Sequence, residues 1–418
     1  MTNWLIKKSP VYYGWVIAFV ATLGMIMTSP GQTYIVSIFI EYFIAELEIS
    51  RSVISSMYTG ATLGGSFALP FVGRLIDRHG ARRVVLVVSV LFGSACLYLG
   101  WVQNAVMLGM GFLAIRLLGQ GSLGLVSMNV INQWWISRRG MLMGISGVCV
   151  SLLGLGLFPV AVNYIIQDIG WRSTYILLGL ILILGMAPLG YFFFRDRPEQ
   201  VGLLPDGRKT LPVAEEGEPE VVLEDNWTPA EAFRTPAFWV VAGSAGTISM
   251  LSTGLVFHLV SIFGDQGLDA NTAASVFVPL SITMAIVNFA GGILADRVPV
   301  RLLLITALLA MASSLFLAIQ LGSIAMVIAF GVVLGATSGF YRVIMSVLWA
   351  NYFGRLHLGS IMGTAQTIAI AGSALGPMPI GIARDLLGNY EAVLLWSMLV
   401  PAFFIVANLL TGRPQRKV

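Results

Sequence analysis

The sequence predicts an all-α polytopic membrane protein, with twelve transmembrane helices arranged as two pseudo-symmetric six-helix bundles. Three observations predict it. First, 57% of the 418 residues are apolar and only 11% charged, whereas soluble domains run roughly 45–50% apolar and about 25% charged. Soluble cores stop growing at roughly 250–300 residues, so this much apolar surface calls for lipid as its solvent. Second, twelve apolar windows of about bilayer-spanning length, about 20 residues each, fit along the chain. Third, residues of the first half recur in the second at one fixed offset. This composition argues against a soluble enzyme, a secreted disulfide scaffold and a nucleic-acid binder.

Windows bounded by charges or turn residues fall near 12–39, 52–76, 83–102, 106–134, 140–166 and 173–194 in the first half. In the second they fall near 237–263, 272–295, 302–320, 323–350, 358–383 and 392–410. The expected organisation is an N-terminal bundle over 1–194, a central linker over 195–235 and a C-terminal bundle over 236–418. The linker is rich in Asp, Glu, Pro and Gly, a composition of partly disordered chain, and Pro229–Arg234 reads as a short amphipathic lead into the seventh span. Met1–Pro10 carries Lys7 and Lys8 ahead of an apolar run too long for a signal h-region, so a retained first helix is expected. Cys96 and Cys149 sit inside apolar runs and suggest neither a metal site nor a disulfide.

Orientation follows from the cations. With the N-terminus cytoplasmic, that side receives 19 of the 24 Lys and Arg residues. The opposite side receives Arg51, Arg172 and Arg384, and Arg116 and Arg342 remain within spans. This bias predicts cytoplasmic termini and a multi-pass protein of the inner membrane. The excess positive charge needs no nucleic-acid partner.

Gly73, Asp77 and Arg78 recur as Gly292, Asp296 and Arg297, each 219 positions later. Asn132 recurs as Asn351, Gly140 as Gly359 and Gly144 as Gly363 at the same offset. Duplicated halves of this kind place a substrate site near the midplane and work by alternating access.

The segment Gly73-Arg-Leu-Ile-Asp77-Arg78-His-Gly80-Ala-Arg82-Arg83 resembles the signature loop of the major facilitator superfamily, and Gly292-Ile-Leu-Ala-Asp296-Arg297 resembles its degenerate second copy. Ile115-Arg116-Leu-Leu-Gly119-Gln-Gly121 is similar to that family's span-four motif. The resemblance covers both halves and implies the major facilitator fold and a transporter. Tyr13-Gly14-Trp15, Arg197-Pro198-Glu199, Pro205-Asp206-Gly207, Phe238-Trp239 and Phe353-Gly354-Arg355 with Gly359 resemble the bacterial branch of monocarboxylate carriers and oxalate:formate exchangers.

The resemblance implies that the Gly73–Arg83 cluster latches the cytoplasmic face. Chemically, Asp77 can cap the short loop or the next helix, and Arg78, Arg82 and Arg83 can pair with it, with helix carbonyls or with lipid phosphates. The alternative is that these arginines only set topology. Arg138, Arg139 and Arg355 are candidate latch partners.

All 20 acidic residues fall outside the hydrophobic centres, so the interior holds two arginines and no carboxylate. A charge at the bilayer centre costs about 2.5–3.5 kcal/mol on insertion scales. An anionic ligand would relieve it, since guanidinium matches a carboxylate bidentately. Arg342, beside Tyr341, is the candidate cavity cation, with snorkelling as the alternative. Arg116 is expected either to hold backbone carbonyls or to touch ligand. The resembled branch commonly carries an arginine eight residues before the second signature aspartate, and here Asn288 stands there; either Arg342 replaces it or the ligand is less acidic.

Gln32 and Tyr34, beyond the Pro30-Gly31 break, and Asn129, His258 and Gln366 are further candidates for the cavity lining. Each can equally be an interhelical hydrogen-bond partner. His258 resembles a branch position and can titrate near neutrality. Proton coupling would use His258, Glu41 or the substrate's own carboxyl; anion exchange needs none of them. The expected function is secondary transport of a small, monocarboxylate-like organic anion by a monomer, with protons as candidate co-substrate. An exporter of amphipathic compounds, an anion exchanger and a non-transporting membrane sensor are the alternatives. With no catalytic set, metal-ligand spacing or phosphate loop in view, no enzyme activity, metal or cofactor is expected.

Overall fold

In the computed structural model, residues 12–49, 51–207, 226–268, 270–387 and 389–414 are described. Among them, eleven helices are long and apolar enough to cross a membrane. The remaining predicted span, 52–76, is formed by two shorter helices, Arg51–Phe67 and Leu69–His79. Pro70 stands at the start of the second and has no N–H for the preceding turn, which separates the two at Ala68. Serine, threonine and glycine fill much of Arg51–Phe67, so this span carries a weaker apolar signal than the others.

The first span also breaks where Pro30 and Gly31 interrupt it. Helix Gly14–Ile26 ends in a 3-10 turn, Ser29–Gly31, and helix Thr33–Leu47 follows. The helical path therefore runs to Leu47, beyond the 39 expected from hydropathy. The tenth span is longer too, one helix over Ile324–Phe353. Helix Ala105–Trp134 contains a π-helical stretch, Arg116–Leu123, coincident with the span-four motif. Such insertions often occur at functional positions.

The chain divides into two compact units. The first comprises Met1–Leu142, Cys149–Thr228 and Phe353–Thr364, and the second Met143–Val148, Pro229–Tyr352 and Ala365–Val418. Each unit thus includes a short piece of the other repeat. In the first, Gly363 lies so close to Leu69 that a Cβ there would stand 2.5 Å from the Leu69 carbonyl oxygen. In the second, a Cβ at Gly144 would stand 2.7 Å from the carbonyl oxygen of Asn288. The 219-residue offset carries Gly144 onto Gly363 and Leu69 onto Asn288, so these are one contact built twice. Backbone approach of this kind is how helices associate where water supplies no hydrophobic drive.

In the first unit an aromatic stack packs the end of the first span. Phe39 and Tyr175 lie 4.1 Å apart between centroids, and Phe43 meets Trp171 edge-on at 5.2 Å. Glu46 accepts from Trp171 Nε1 at 2.6 Å and pairs with Arg172 at 2.8 Å. The second unit is centred on Leu251, Leu255, Phe263, Leu315, Phe330 and Ile380.

The described linker ends are packed, in contrast to the loose chain expected from composition. Asp206 accepts from the main-chain N–H of Ile136 and Ser137 at 3.1 and 3.0 Å. Glu199 pairs with Arg355 at 2.8 Å, and Asn226 Oδ1 accepts from the N–H of Arg355 and Leu356, both at 3.0 Å. The polar residues that read as solvated chain are committed to orphan N–H groups. Helix Pro229–Arg234 leads into Pro236–Phe257. The stretch 208–225, with Arg208 and Lys209, and Met1–Val11, with Lys7 and Lys8, lie outside the described residues.

Candidate functional site

Arg116 lies in the first unit, 6% exposed. Its Nε donates to Thr62 Oγ1 at 2.9 Å and its Nη1 to the Gly31 carbonyl at 3.0 Å. Its guanidinium stands 4.7 Å over the Tyr58 ring, and Tyr58 in turn donates to Thr33 Oγ1 at 3.0 Å. The broken first span supplies the acceptor: the residues after Gly31 turn away, which frees its carbonyl for the arginine. Gly31 also abuts Gly119, whose Cα would lie 3.1 Å from an added Cβ. Tyr58 and Thr62, four apart on one helix face, are partners that hydropathy did not single out.

Gln32 and Tyr34 belong to the same break. Gln32 Nε2 donates to Thr28 Oγ1 at 3.1 Å, and Tyr34 Oη shares a 3.0 Å hydrogen bond with Ser29 Oγ. Asn129 stands apart from them, with the Asp77–Arg83 segment, where helices Leu69–His79 and Ala81–Leu99 meet at Gly80.

That junction is organised around Asp77. Its carboxylate accepts from Gly359 N at 2.9 Å, Ser360 N at 2.8 Å and Ser360 Oγ at 2.6 Å. The helix it caps is therefore Leu358–Leu375, far along the chain, and not the loop or next helix expected from sequence. Burial raises its carboxyl above the ordinary value, against the opposing pull of the three donors. Gly73 sits one turn earlier, where an added Cβ would collide with the Gly359 carbonyl. Among the described residues no ion pair joins Asp77 to Arg78, Arg82 or Arg83. Arg82 instead donates from Nε to the Tyr191 carbonyl at 2.7 Å and lies 4.5 Å over that ring. Asp196 accepts from Arg82 N at 2.9 Å and covers Gly80, whose φ of +83° suits glycine.

Of the three candidate latch partners, Arg139 and Arg355 are held by carbonyls, and Arg138 is exposed, its side chain making no hydrogen bond among the described residues. Arg139 Nε donates to the Trp135 carbonyl at 2.6 Å. Arg355 donates to the Gln133 carbonyl, and Gln133 Nε2 returns a 2.7 Å hydrogen bond to the Arg355 carbonyl. Beside them Tyr12 Oη is shared between the carbonyls of Trp134 and Leu204 at 3.2 and 3.0 Å, and Tyr13 Oη donates to Phe193 at 2.9 Å. Tyr13-Gly14-Trp15, Pro205-Asp206-Gly207 and Glu199 thus form one support.

In the second unit Arg342 is exposed on helix Ile324–Phe353, the single charged residue of its 30 positions. Neighbouring Tyr341 accepts from Ser249 Oγ at 2.9 Å. Asn288 is fully buried, its side chain against Gly147 and its carbonyl against Gly144. His258 lies where helices Pro236–Phe257 and Leu259–Asp265 meet. Its Nε2 bonds the Pro377 carbonyl at 2.9 Å and Nδ1 faces Tyr390 Oη at 3.3 Å. A carbonyl only accepts, so Nε2 carries a proton. Gln366 is half-buried, and Asp296 and Arg297 are exposed just after helix Phe277–Ala295. The Glu41 side chain lies outside the described structure.

The sequence matches the model of the Major Facilitator Superfamily over residues 14–297 and 244–418. The chain belongs to that superfamily and is a multi-pass membrane protein of a transporter family. It is 25% identical to the "Uncharacterized MFS-type transporter YhjX" of Escherichia coli, over 66% of this chain and 65% of that one. It is 24% identical to the oxalate:formate antiporter of Oxalobacter formigenes, over 66% of this chain and 60% of that one. These two alignments span under two thirds of the relatives' lengths. Monocarboxylate transporter 13 of Rattus norvegicus is 24% identical over 96% of this chain and 92% of its own. The human organic anion transporter MFSD10 shares the fold, with TM-score 0.69 and 16% identity over 95% of this chain and 100% of that chain.

Proposed function

We propose that this transporter carries a small, monocarboxylate-like organic anion by alternating access, with Arg342 as the substrate's counter-charge. The observation that carries this reading is the place of Arg342: exposed on an otherwise uncharged helix, eleven residues before its end at Phe353. At a rise of about 1.5 Å per residue that is about 16 Å along the axis, deeper than the span predicted from hydropathy allowed. Cations kept at such depth face water-filled cavities or partners, because hydrocarbon exposure costs about 2.5–3.5 kcal/mol or more. Guanidinium binds carboxylate through two parallel N–H donors. The relatives named for oxalate, formate and monocarboxylates support an anion.

In this reading Tyr341, Asn288, His258, Tyr34, Gln32 and Gln366 are candidate contacts or their supports, Arg116 is a structural cation, and Asn129, set beside Asp77 and Arg83, lies outside the path. The bundles span 1–194 and 236–418 around a cytoplasmic linker, both termini face the cytoplasm of a cell whose inner membrane holds the protein, and the monomer is the working unit. Protons are the candidate co-substrate, entering with the carboxyl group or through His258.

The test is uptake of labelled oxalate, formate and lactate into proteoliposomes. Arg342→Ala should cut uptake at least about tenfold, the equivalent of one lost charge-assisted contact of about 1.4 kcal/mol or more, with Tm unchanged. Arg342→Lys should retain part of it. Undiminished uptake in Arg342→Ala would refute the assignment.

A further inference from the structure

Beside Asp77 the first unit holds a cavity of about 330 Å³, walled by residues 76–83, where helices Leu69–His79 and Ala81–Leu99 meet at Gly80, by Asn129 and Gln133, and by Asp196, Arg197 and Gln200. Its volume falls at the small end of the range of ligand sites, roughly 300–1,000 Å³. Four arginines and two aspartates line it. Both carboxylates are already engaged, Asp77 by Gly359 and Ser360 and Asp196 by the Arg82 N–H. Arg78 and Arg83, by contrast, make no hydrogen bond or ion pair among the described residues. The wall is therefore net cationic, and two of its cations are uncommitted.

The floor carries an independent sign. Asn129 is 2% exposed and its Nδ2 has no hydrogen-bond partner; Gln133 is 5% exposed and its Oε1 has none either. The two lie four residues apart, on one face of helix Gly124–Trp134. A buried donor or acceptor left unsatisfied costs about 1–3 kcal/mol, and the two residues that carry these orphan groups both line the cavity. A phosphate can take the Asn129 donor together with guanidinium forks. Gln133 Oε1 only accepts, so it asks for a hydroxyl.

We propose that this cavity is a binding site for a hydroxyl-bearing phosphate, separate from the site of the transported substrate. The phosphate sits between Arg78, Arg83 and Asn129 Nδ2, and its hydroxyl donates to Gln133 Oε1. Such chemistry is offered by a free glycerol phosphate or by the headgroup of phosphatidylglycerol. A ligand seated there ties the helix junction at Gly80 to the fourth span and to the segment after Phe194.

The test uses thermal unfolding of the purified full-length protein. Titration with sn-glycerol 3-phosphate in detergent should raise Tm saturably by about 2–4 °C. If the source is lipid, the rise appears instead in phosphatidylcholine nanodiscs on addition of phosphatidylglycerol. Either result upholds the site, provided Asn129→Leu and Arg83→Gln each weaken the apparent affinity by roughly tenfold. Arg83 is exposed, so its variant stays folded if Asn129→Leu does not. No shift with either source overturns the proposal, as does an equal shift with inorganic sulfate or in both variants. Loss of the shift in Arg342→Ala would assign the ligand to the transport path and overturn it as well.

Discussion

Asp77 and Ser360 stand 283 positions apart and are joined by two hydrogen bonds to one carboxylate oxygen, from Ser360 N at 2.8 Å and Oγ at 2.6 Å. With Gly359 N on the other oxygen at 2.9 Å, Asp77 performs the task of an N-cap from a distant helix. The first N–H groups of Leu358–Leu375 have no partners within their own helix, and a carboxylate at the positive end of the helix dipole is favoured. The signature aspartate is thus a capping group supplied from the other repeat.

Asp77→Ala should expose those N–H groups. With charge-assisted bonds of about 1.5–3 kcal/mol each at stake, amide exchange at Gly359 and Ser360 should quicken by at least tenfold in hydrogen–deuterium measurements. Exchange unchanged from the wild type would contradict the capping role.

Gly73 and Gly60 form a matched pair. A Cβ at Gly73 meets the Gly359 backbone, whereas nothing lies within 4 Å of one at Gly60. Gly73→Ala should destabilise by about 1–3 kcal/mol through overpacking. Gly60→Ala should be neutral or gain up to about 1 kcal/mol, as glycine within a helix is unfavourable. Thermal unfolding of the two variants distinguishes them directly.

Arg116→Lys replaces a fork that reaches Thr62 and Gly31 together with a single ammonium. Loss of stability should be about 1–3 kcal/mol, while Thr62→Val, which removes one acceptor, should cost about 1 kcal/mol. If both variants unfold at the wild-type temperature, Arg116 has a different task.

The spans, the duplication and the family were legible because lipid imposes long apolar runs and the repeat preserves glycines at fixed spacing. Pro30-Gly31 announced the break in the first span, since proline and glycine punctuate a helix by local chemistry. Three features were not legible. Asp77 reads as a local cap because spacing along the chain carries no information about a helix 282 residues away. Arg195–Gly207 reads as solvated chain because its acceptors find main-chain donors only after folding, as Asp206 does at Ile136 and Ser137. Asn129 reads as one more polar residue in a span, and only the fold sets it beside Asp196 and Arg83. The repeat at 219 did hold a clue that pattern alone could not turn into geometry. Gly144 and Gly363 are paired by sequence, but their packing against Asn288 and Leu69 emerges in three dimensions.

That reciprocal contact bears on how the chain can be cut. Each compact unit is completed by a dozen residues or fewer from the opposite repeat, Met143–Val148 in one and Phe353–Thr364 in the other. A polypeptide ending in the linker would present Leu69, Gly73 and Asp77 with no helix to receive them, and its sister would present Asn288 and Gly292 likewise. The halves are therefore complementary fragments: expressed separately they lack a piece of their own packing, and expressed together each supplies what the other is missing.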